Sequence, residues 1–268
     1  MKTVGGIGLA DVTRVYSGPE GRLWELIMGE QIHVGGLVSS MDLAERAGIA
    51  AGWRGVDLCC CTGAGMRFLV RFRGAAGMTG VDATEAVVTE GRRRCAEEGL
   101  SDRITFVQAD ACNSGLEDAS ADFIWGEDAW CYVVDKERLM REASRIVRPG
   151  GVIAFTDWVE GPAGLTTDEA ERFLRFMKFP NLMDLDAYPR LLQQAGCEVL
   201  IAEDTGRYLD SIVLYVSMLE KQLGYDALKI VGFDQAVLAG LAQEMHFTRE
   251  LAEKGKLVQG LFAARRSA

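Results

Sequence analysis

The stretch DLCCCTGAG, Asp57 to Gly65, sets three consecutive cysteines between an acid and a glycine-rich turn. It is either a metal or redox site or a nucleotide-type loop with cysteine where glycine usually sits, and the choice decides the fold. The remaining cysteines, at 95, 112, 131 and 197, bring the total to seven, with no C-x-x-C pair. An odd number without paired spacing signals neither a disulfide framework nor a zinc knuckle. The two histidines, His33 and His246, lie far apart in the chain. The cysteines therefore read as small, reduced, buried hydrophobes, and no metal is expected.

Around this loop, short apolar runs alternate with longer amphipathic stretches. RGVDLCC reads as a buried strand and AGMRFLVRFRG as the helix after it. GMTGVDA, ITFVQADA, ADFIWGEDA and GGVIAFTDW follow as strands two to five, with helices TEAVVTEGRRRCAEEG and DKERLMREASRIVRPG among them. Only a short helix is expected between strands three and four. Strands returning every 20 to 30 residues with helices between them imply βαβ units and a doubly wound parallel sheet. The ligand crevice then lies at the carboxyl ends of the strands.

After Trp158 the rhythm changes. TTDEAERFLRFMKF opens with the capping-box pair Thr166 and Glu169, AYPRLLQQAG is a second helix, and CEVLIAED is a strand. YLDSIVLYVSMLEKQLG and FDQAVLAGLAQEMHFTRELAEKG carry helical spacing before a closing strand, KLVQGLFAARR. The chain thus divides into an N-terminal helical cap segment, 1–50, and a main domain, 51–268, with helical inserts at about 159–190 and 203–255. Long elaborations at the ligand end of a sheet serve as lids or substrate walls. Met177, Phe179 and Met183 are candidates for an apolar pocket there.

Composition narrows the partners. The formal net charge is −10, the wrong sign for a nucleic-acid binder. No stretch approaches the roughly 20 apolar residues of a membrane span. The N-terminus has no signal-peptide pattern, so the cytoplasm is the expected location.

Three acids end successive strands. Asp57 precedes a small-residue turn and a helix, which lets a ligand approach unpaired backbone N–H groups. Asp82 is placed to accept hydrogen bonds from both ribose hydroxyls of an adenosine. Asp110 is placed to accept from an exocyclic adenine amine. An acidic crevice suits a ligand that carries positive charge and no phosphates.

In order and spacing, VDLCCCTGAG, GVDATEAVV, FVQADA, DFIWGEDAWCYVVDK and LMREASRIVRPGGVIAFTDW resemble a class I S-adenosylmethionine-dependent methyltransferase over residues 54 to 158. The resemblance implies an α/β, Rossmann-like fold: a doubly wound, mostly parallel seven-stranded sheet with helical inserts forming a cap. It implies S-adenosyl-L-methionine as cofactor, held by Asp57, Cys59, Cys61 and Gly63 in the loop. Cysteine stands there for the first two of the family's three glycines. Asp82 and Ala83 would hold the ribose, Asp110 and Ala111 would flank adenine, and Glu127 would face the methionine or the acceptor.

A narrower likeness is carried by LWELIMGEQIHVGGLVSSMDLAERAGI, FTDWVEGPAGLT and MKFPNLMDLDAYPRLLQQAGCEV, which are similar to the sarcosine/dimethylglycine N-methyltransferase group. It implies a small amine as methyl acceptor. Carbon or oxygen methylation of an apolar quinone, phenolic or terpenoid acceptor is the alternative. A homo-oligomer is compatible with either.

Methyl transfer from a sulfonium is an in-line displacement, so the protein must align the partners and exclude water. Asp128 and His33 are the candidates for accepting the acceptor's proton. Tyr16, Trp130 and Trp158 are candidates for substrate contact, since aromatic faces favour methylated ammonium groups. A nicotinamide oxidoreductase would need G-x-G-x-x-G after the first strand, and the loop lacks it. A non-catalytic module that keeps the fold would bind the cofactor without turnover.

Overall fold

A computed structural model describes all 268 residues of the chain. A two-residue strand, β1 (Lys2–Thr3), precedes three helices: α1 (Leu9–Tyr16), α2 (Pro19–Met28) and α3 (Gly36–Arg46). The alternating region follows as β2 (Arg54–Leu58), α4 (Ala64–Phe72), β3 (Gly77–Asp82), α5 (Glu85–Glu97), β4 (Ile104–Gln108), β5 (Ala121–Glu127), α6 (Lys136–Ile146) and β6 (Val147–Glu160). Then come α7 (Thr167–Met177), the short β7 (Asn181–Leu182), α8 (Ala187–Gln194), β8 (Cys197–Asp204) and α9 (Tyr208–Met218). A π-turn over Leu219–Leu223, α10 (Gly224–Ile230), α11 (Gln235–Glu253) and β9 (Leu257–Arg266) complete the chain.

Seven strands form the main sheet in the order β4-β3-β2-β5-β6-β9-β8. The first five are parallel, and β9 runs antiparallel to both neighbours. The chain winds outward from β2 through β3 to β4, then crosses to β5 and β6 on the other side. The strand order reverses between β2 and β5, which opens a crevice at their carboxyl ends. Asp57 on β2 and Glu127 on β5 lie at that reversal.

Each sheet face has its own core. Val56, Leu58, Ile124, Ile153 and Phe262 pack toward α6 and α8, while Phe68, Leu69, Phe123, Trp125 and Ala154 pack toward α3, α4 and α5. A third core lies outside the sheet. It joins Leu23, Trp24 and Ile27 of α2 to Phe173 and Leu174 of α7, Ile212 and Tyr215 of α9, and Met245 and Leu251 of α11. The N-terminal helices and both inserts thus share one apolar interior, and burial of this common face is what orders them.

Three details differ from the sequence reading. Between β4 and β5, residues 109–120 form turns with no helix, and a single 3-10 turn, Trp130–Tyr132, follows β5 instead. β2 ends at Leu58, so all three adjacent cysteines lie in the loop. Met177, Phe179 and Met183 are buried and do not line the cavity at the strand ends: Met177 and Phe179 pack in the core of the cap, and Met183 packs in a sheet core. The capping box at α7 is present, with Thr166 Oγ1 accepting from the Glu169 N–H and Glu169 accepting from the Thr166 N–H.

At the sheet centre, a Cβ on Gly55 would lie 2.3 Å from the Phe123 ring. Gly55→Ala therefore overpacks a fully buried contact and should cost about 1–3 kcal/mol in urea unfolding. A midpoint equal to that of the unaltered chain would show that the Phe123 ring has room to move.

Candidate cofactor and acceptor site

A cavity of about 320 Å3 opens at the carboxyl ends of β2, β3 and β5. Its floor is the loop after β2, and its roof is the N-terminal segment: Leu9, Val12 and Tyr16 of α1, and Glu30 to His33 after α2. No residue of the two inserts reaches it. They back the roof through the shared core and form no wall of the cavity.

The cysteine loop is built by backbone geometry. Cys59 and Cys61 have φ of 66° and 47°, in the left-handed region that glycine occupies without strain. Gly63, with φ of 77°, caps α4, and a Cβ there would meet Phe106 and Met66 at under 3 Å. Gly63 thus shapes the turn but does not itself line the cavity. Cys60 points inward, is buried, and abuts Gly80 of β3. Burial pushes the thiols of Cys59, Cys60 and Cys61 up, with the Asp82 charge as the second cause. They remain protonated, small and unpaired.

Asp82 fixes the loop from the neighbouring strand. Its carboxylate accepts from the Cys61 N–H at 3.0 Å and from the Thr84 N–H at 2.8 Å. Asp57 is buried and takes no hydrogen bond from the protein, and burial together with Glu127 and Asp82 holds its carboxyl well above the usual range. A buried acid without a partner, aimed into a cavity, is an unmet demand for a donor. Burial is likewise the leading cause that raises Glu127 and Asp82. Ala83, Asp110 and Ala111 line the same cavity.

Glu127 is the most connected of the acids. One oxygen accepts from Trp125 Nε1 at 3.0 Å, and the other from Ser40 Oγ at 2.8 Å with His33 Nε2 at 3.3 Å. His33 lines the cavity, but both ring nitrogens face protein groups. Nε2 is 3.1 Å from Ser40 Oγ and Nδ1 is 3.4 Å from the Val34 carbonyl. Asp128 is equally committed, accepting from the Val34 N–H at 2.7 Å and from Gln259 Nε2 at 2.9 Å. The two groups expected to take a proton thus both line the cavity with their polar atoms occupied, an arrangement suited to orientation.

The aromatic expectations divide. Tyr16 lines the cavity, with its ring 5.4 Å from that of Tyr132 in an edge-on contact. Tyr132 was not singled out in the sequence. Nothing in its neighbours marks it, because its place depends on the 3-10 turn and on α1 folding back over it. Burial raises both phenols, so they stay neutral hydrogen-bonding groups. Trp130 and Trp158 do not reach the cavity. Trp130 is stacked on Phe155 at 4.0 Å and donates its indole N–H to the Leu58 carbonyl at 3.1 Å. Trp158 packs among Phe173, Phe179 and Tyr208 in the cap core. Trp130 follows β5 and Trp158 lies within β6, and both are inside the protein, so their indoles seal cores.

Left-handed φ costs a non-glycine residue roughly 1–2 kcal/mol, and glycine loses about 0.5–1 kcal/mol of that gain to unfolded-chain entropy. Cys59→Gly and Cys61→Gly should therefore each stabilise the fold by about 0.5–1 kcal/mol in thermal unfolding. Cys60→Gly should destabilise it, since it leaves a hole against Gly80. Equal destabilisation by all three changes would mean that the two strained thiols make contacts worth more than their strain.

Comparison with known proteins places this geometry. Residues 56–155 match the family model described as a methyltransferase domain. Methyltransferase GfsG of Streptomyces halstedii is 32% identical over 164 residues, covering 60% of this chain and 59% of that protein. The 27-O-demethylrifamycin SV methyltransferase of Amycolatopsis mediterranei is 35% identical over 134 residues, 49% of each chain. The chain thus spans about half to three-fifths of the length of these relatives. Among solved structures, a putative sarcosine dimethylglycine methyltransferase from Galdieria sulphuraria superposes with a TM-score of 0.81 at 24% identity, covering 93% of this chain and 98% of that one. The chain carries a methyltransferase domain with the class I S-adenosylmethionine-dependent methyltransferase fold.

Proposed function

We propose that the protein binds S-adenosyl-L-methionine across the carboxyl ends of β2 to β5 and transfers its methyl group to an uncharged, largely apolar small molecule. The observation that carries the reading is the composition of the cavity at the strand ends. Asp57, Asp82, Asp110 and Glu127 line its strand-end side, and Leu9, Val12, Tyr16, Ile32, Tyr132 and Val133 supply an apolar wall.

The fit to the cofactor rests on this chain's own groups. Asp57 is a buried acceptor with no protein donor, suited to an ammonium group. Asp82 is placed for vicinal hydroxyls, and its two backbone bonds fix the direction of its carboxylate. Asp110 accepts from the Cys112 N–H at 2.8 Å through one oxygen and lines the cavity, where its other oxygen would be available to an adenine amine. When bound, the sulfonium supplies an electrophilic methyl: the sulfur–carbon bond breaks as the bond to the acceptor forms. Tyr16 and Tyr132 would hold the acceptor in line and keep water out. The proton released by a hydroxyl acceptor would leave to solvent or to a carboxylate of the cavity.

Charge separates the acceptor classes. Glu30, Asp128 and Asp135 add to the four strand-end acids, and Arg138 is the one Lys or Arg side chain in the lining. The cations behind the wall are committed. Arg67 bonds Thr62 O, Glu30 and Glu98, Arg94 bonds Glu25 and Glu90, and buried Lys136 donates to the Cys131 and Val133 carbonyls. An acceptor carrying a carboxylate or phosphate would bring another anion into a lining of seven acids with Arg138 as the single cationic side chain to meet it, which is unfavourable. A glycine-type amine, suggested by the narrower sequence likeness, fits less well for that reason. Oxygen or carbon methylation of a neutral acceptor fits better, in line with the apolar wall.

The test is release of S-adenosylhomocysteine on a panel of glycine, sarcosine, dimethylglycine, phosphoethanolamine, a catechol, a prenylated quinol and a polyketide alcohol. Turnover confined to the neutral acceptors is the expected result. Turnover on the glycine series would overturn the acceptor class and leave the cofactor assignment intact.

A second expectation follows from the acids. Burial raises Asp57, Asp82 and Glu127 in the free protein, so folding favours their protonated forms. That contribution is full below the ordinary carboxylate range and is lost as pH rises through the raised values. A cationic ligand favours the ionised forms and lowers those values again. Calorimetry should therefore find S-adenosylmethionine affinity rising with pH across this range, with net proton release on binding. Affinity independent of pH, with no proton release, would remove these acids from the cofactor's surroundings.

A further inference from the structure

Val34 is the point where the roof of the cavity is fastened to the sheet. Its N–H donates to Asp128 Oδ2 at 2.7 Å, and its carbonyl accepts from Gln259 Nε2 at 3.2 Å. Gln259 Nε2 also donates to both Asp128 oxygens at 2.9 Å, which closes a ring of three residues. They come from the N-terminal segment, the loop after β5 and the last strand, β9. Val34 and Gln259 are 0% exposed and Asp128 5%.

The orientation of the amide is set from behind. Gln259 Oε1 accepts from the Thr205 hydroxyl at 3.1 Å, so Nε2 must turn toward Asp128 and Val34. Asp128 in turn is held with φ of 50°, and its own N–H donates to the Thr156 carbonyl at 2.9 Å. A primary amide buried in mid-strand is costly unless its hydrogen bonds are made. Methionine would fill the same volume without that demand, so packing alone does not account for glutamine here. What the amide holds accounts for it.

Val34 adjoins His33, and Asp128 adjoins Glu127. The ring therefore fixes both backbones that carry the His33–Glu127 pair, whose Nε2 to Oε1 separation is 3.3 Å. Gln259 itself does not line the cavity. We propose that Gln259 is a positioning residue: it locks the Val34 peptide to Asp128, sets His33 against Glu127, and so raises cofactor affinity without touching the cofactor. The proposal rests on the methyltransferase reading above.

The histidine content of the chain makes the test direct. His33 and His246 are the only two, and His246 is a distant, half-exposed residue that pairs with Glu220. Nitrogen-15 spectra of the imidazoles therefore report on His33 with an internal reference. Gln259→Met should weaken S-adenosylhomocysteine binding about tenfold in calorimetry, shift the His33 ring signals and leave those of His246 in place. Gln259→Glu keeps the shape but sets a second carboxylate against Asp128, and should weaken binding further. Folded Gln259→Met protein with the original affinity and the original His33 signals would overturn the proposal.

If Gln259→Met does not fold, Thr205→Val decides. It removes the bond that orients the amide, together with the long bond that the Thr205 hydroxyl accepts from the Arg207 N–H at 3.4 Å, so a smaller affinity loss, about threefold, with the same His33 shift is expected. No change in either readout would overturn the proposal. Absence of S-adenosylhomocysteine binding by the unaltered protein would instead defeat the cofactor reading, and the His33 signals would still test the brace.

Discussion

Placing Asp57, Asp82 and Glu127 side by side at the ends of adjacent strands works against the free protein. Asp57 is buried and the other two are half-buried, desolvation raises each carboxyl, and Glu127 and Asp82 add to the penalty on Asp57. Parallel topology forces the juxtaposition, because strands running one way finish on one edge and their terminal side chains share one crevice. The protein offsets part of the cost with dipoles. Asp82 takes two backbone N–H groups, and Glu127 takes the Trp125 indole and the Ser40 hydroxyl. Asp57 is left without such help, which makes it the group with most to gain from a cationic ligand.

The cysteine loop has to satisfy the same edge. With β2 ending at Leu58, the chain must turn sharply to start α4 at Ala64 while leaving open space above Asp57. Three left-handed residues, at 59, 61 and 63, achieve the turn. Glycine does this freely, and cysteine does it with strain that the Asp82 carboxylate helps hold through the Cys61 N–H. The thiols keep the floor narrow and apolar without supplying a reactive thiolate, since burial and Asp82 both oppose ionisation.

How far the sequence reveals this depends on the range of the interaction. The strand-end acids and the alternating elements are local patterns, and they place Asp57, Asp82, Asp110 and Glu127 together because regular βαβ winding converts spacing into adjacency. The tryptophans fail for lack of such a rule. An aromatic after a strand is written identically whether it faces a ligand or seals a core, and Trp130 and Trp158 find partners more than twenty residues away, in Phe155 and Tyr208. Tyr132 and Gln259 are less legible still. One depends on a helix 116 residues upstream folding over it, and the other on a contact between the last strand and a segment 225 residues before it. Asp128 and His33 show the intermediate case: pattern locates them, and only their hydrogen-bond partners reveal that both are engaged.

The division of cores explains why the floor and the roof of the cavity can differ so much in chemistry. The floor is tied to the two sheet cores through Leu58, Val81 and Trp125, so changes there propagate into the elements that define the fold. The roof packs on a separate interior shared by α2, α7, α9 and α11, which meets the sheet at Trp158 of β6 and Leu257 of β9. Val34 adds a tie of its own, its N–H donating to Asp128 and its carbonyl accepting from Gln259, while the Gly35 N–H donates to the Tyr215 hydroxyl within the cap. A roof with its own core can exchange the residues facing the acceptor at little cost to the sheet, provided its anchor keeps the same register. On the proposed reading, specificity for the acceptor would reside in Leu9, Val12, Tyr16 and Ile32, and the geometry of transfer in the buried polar ring that fixes where they stand.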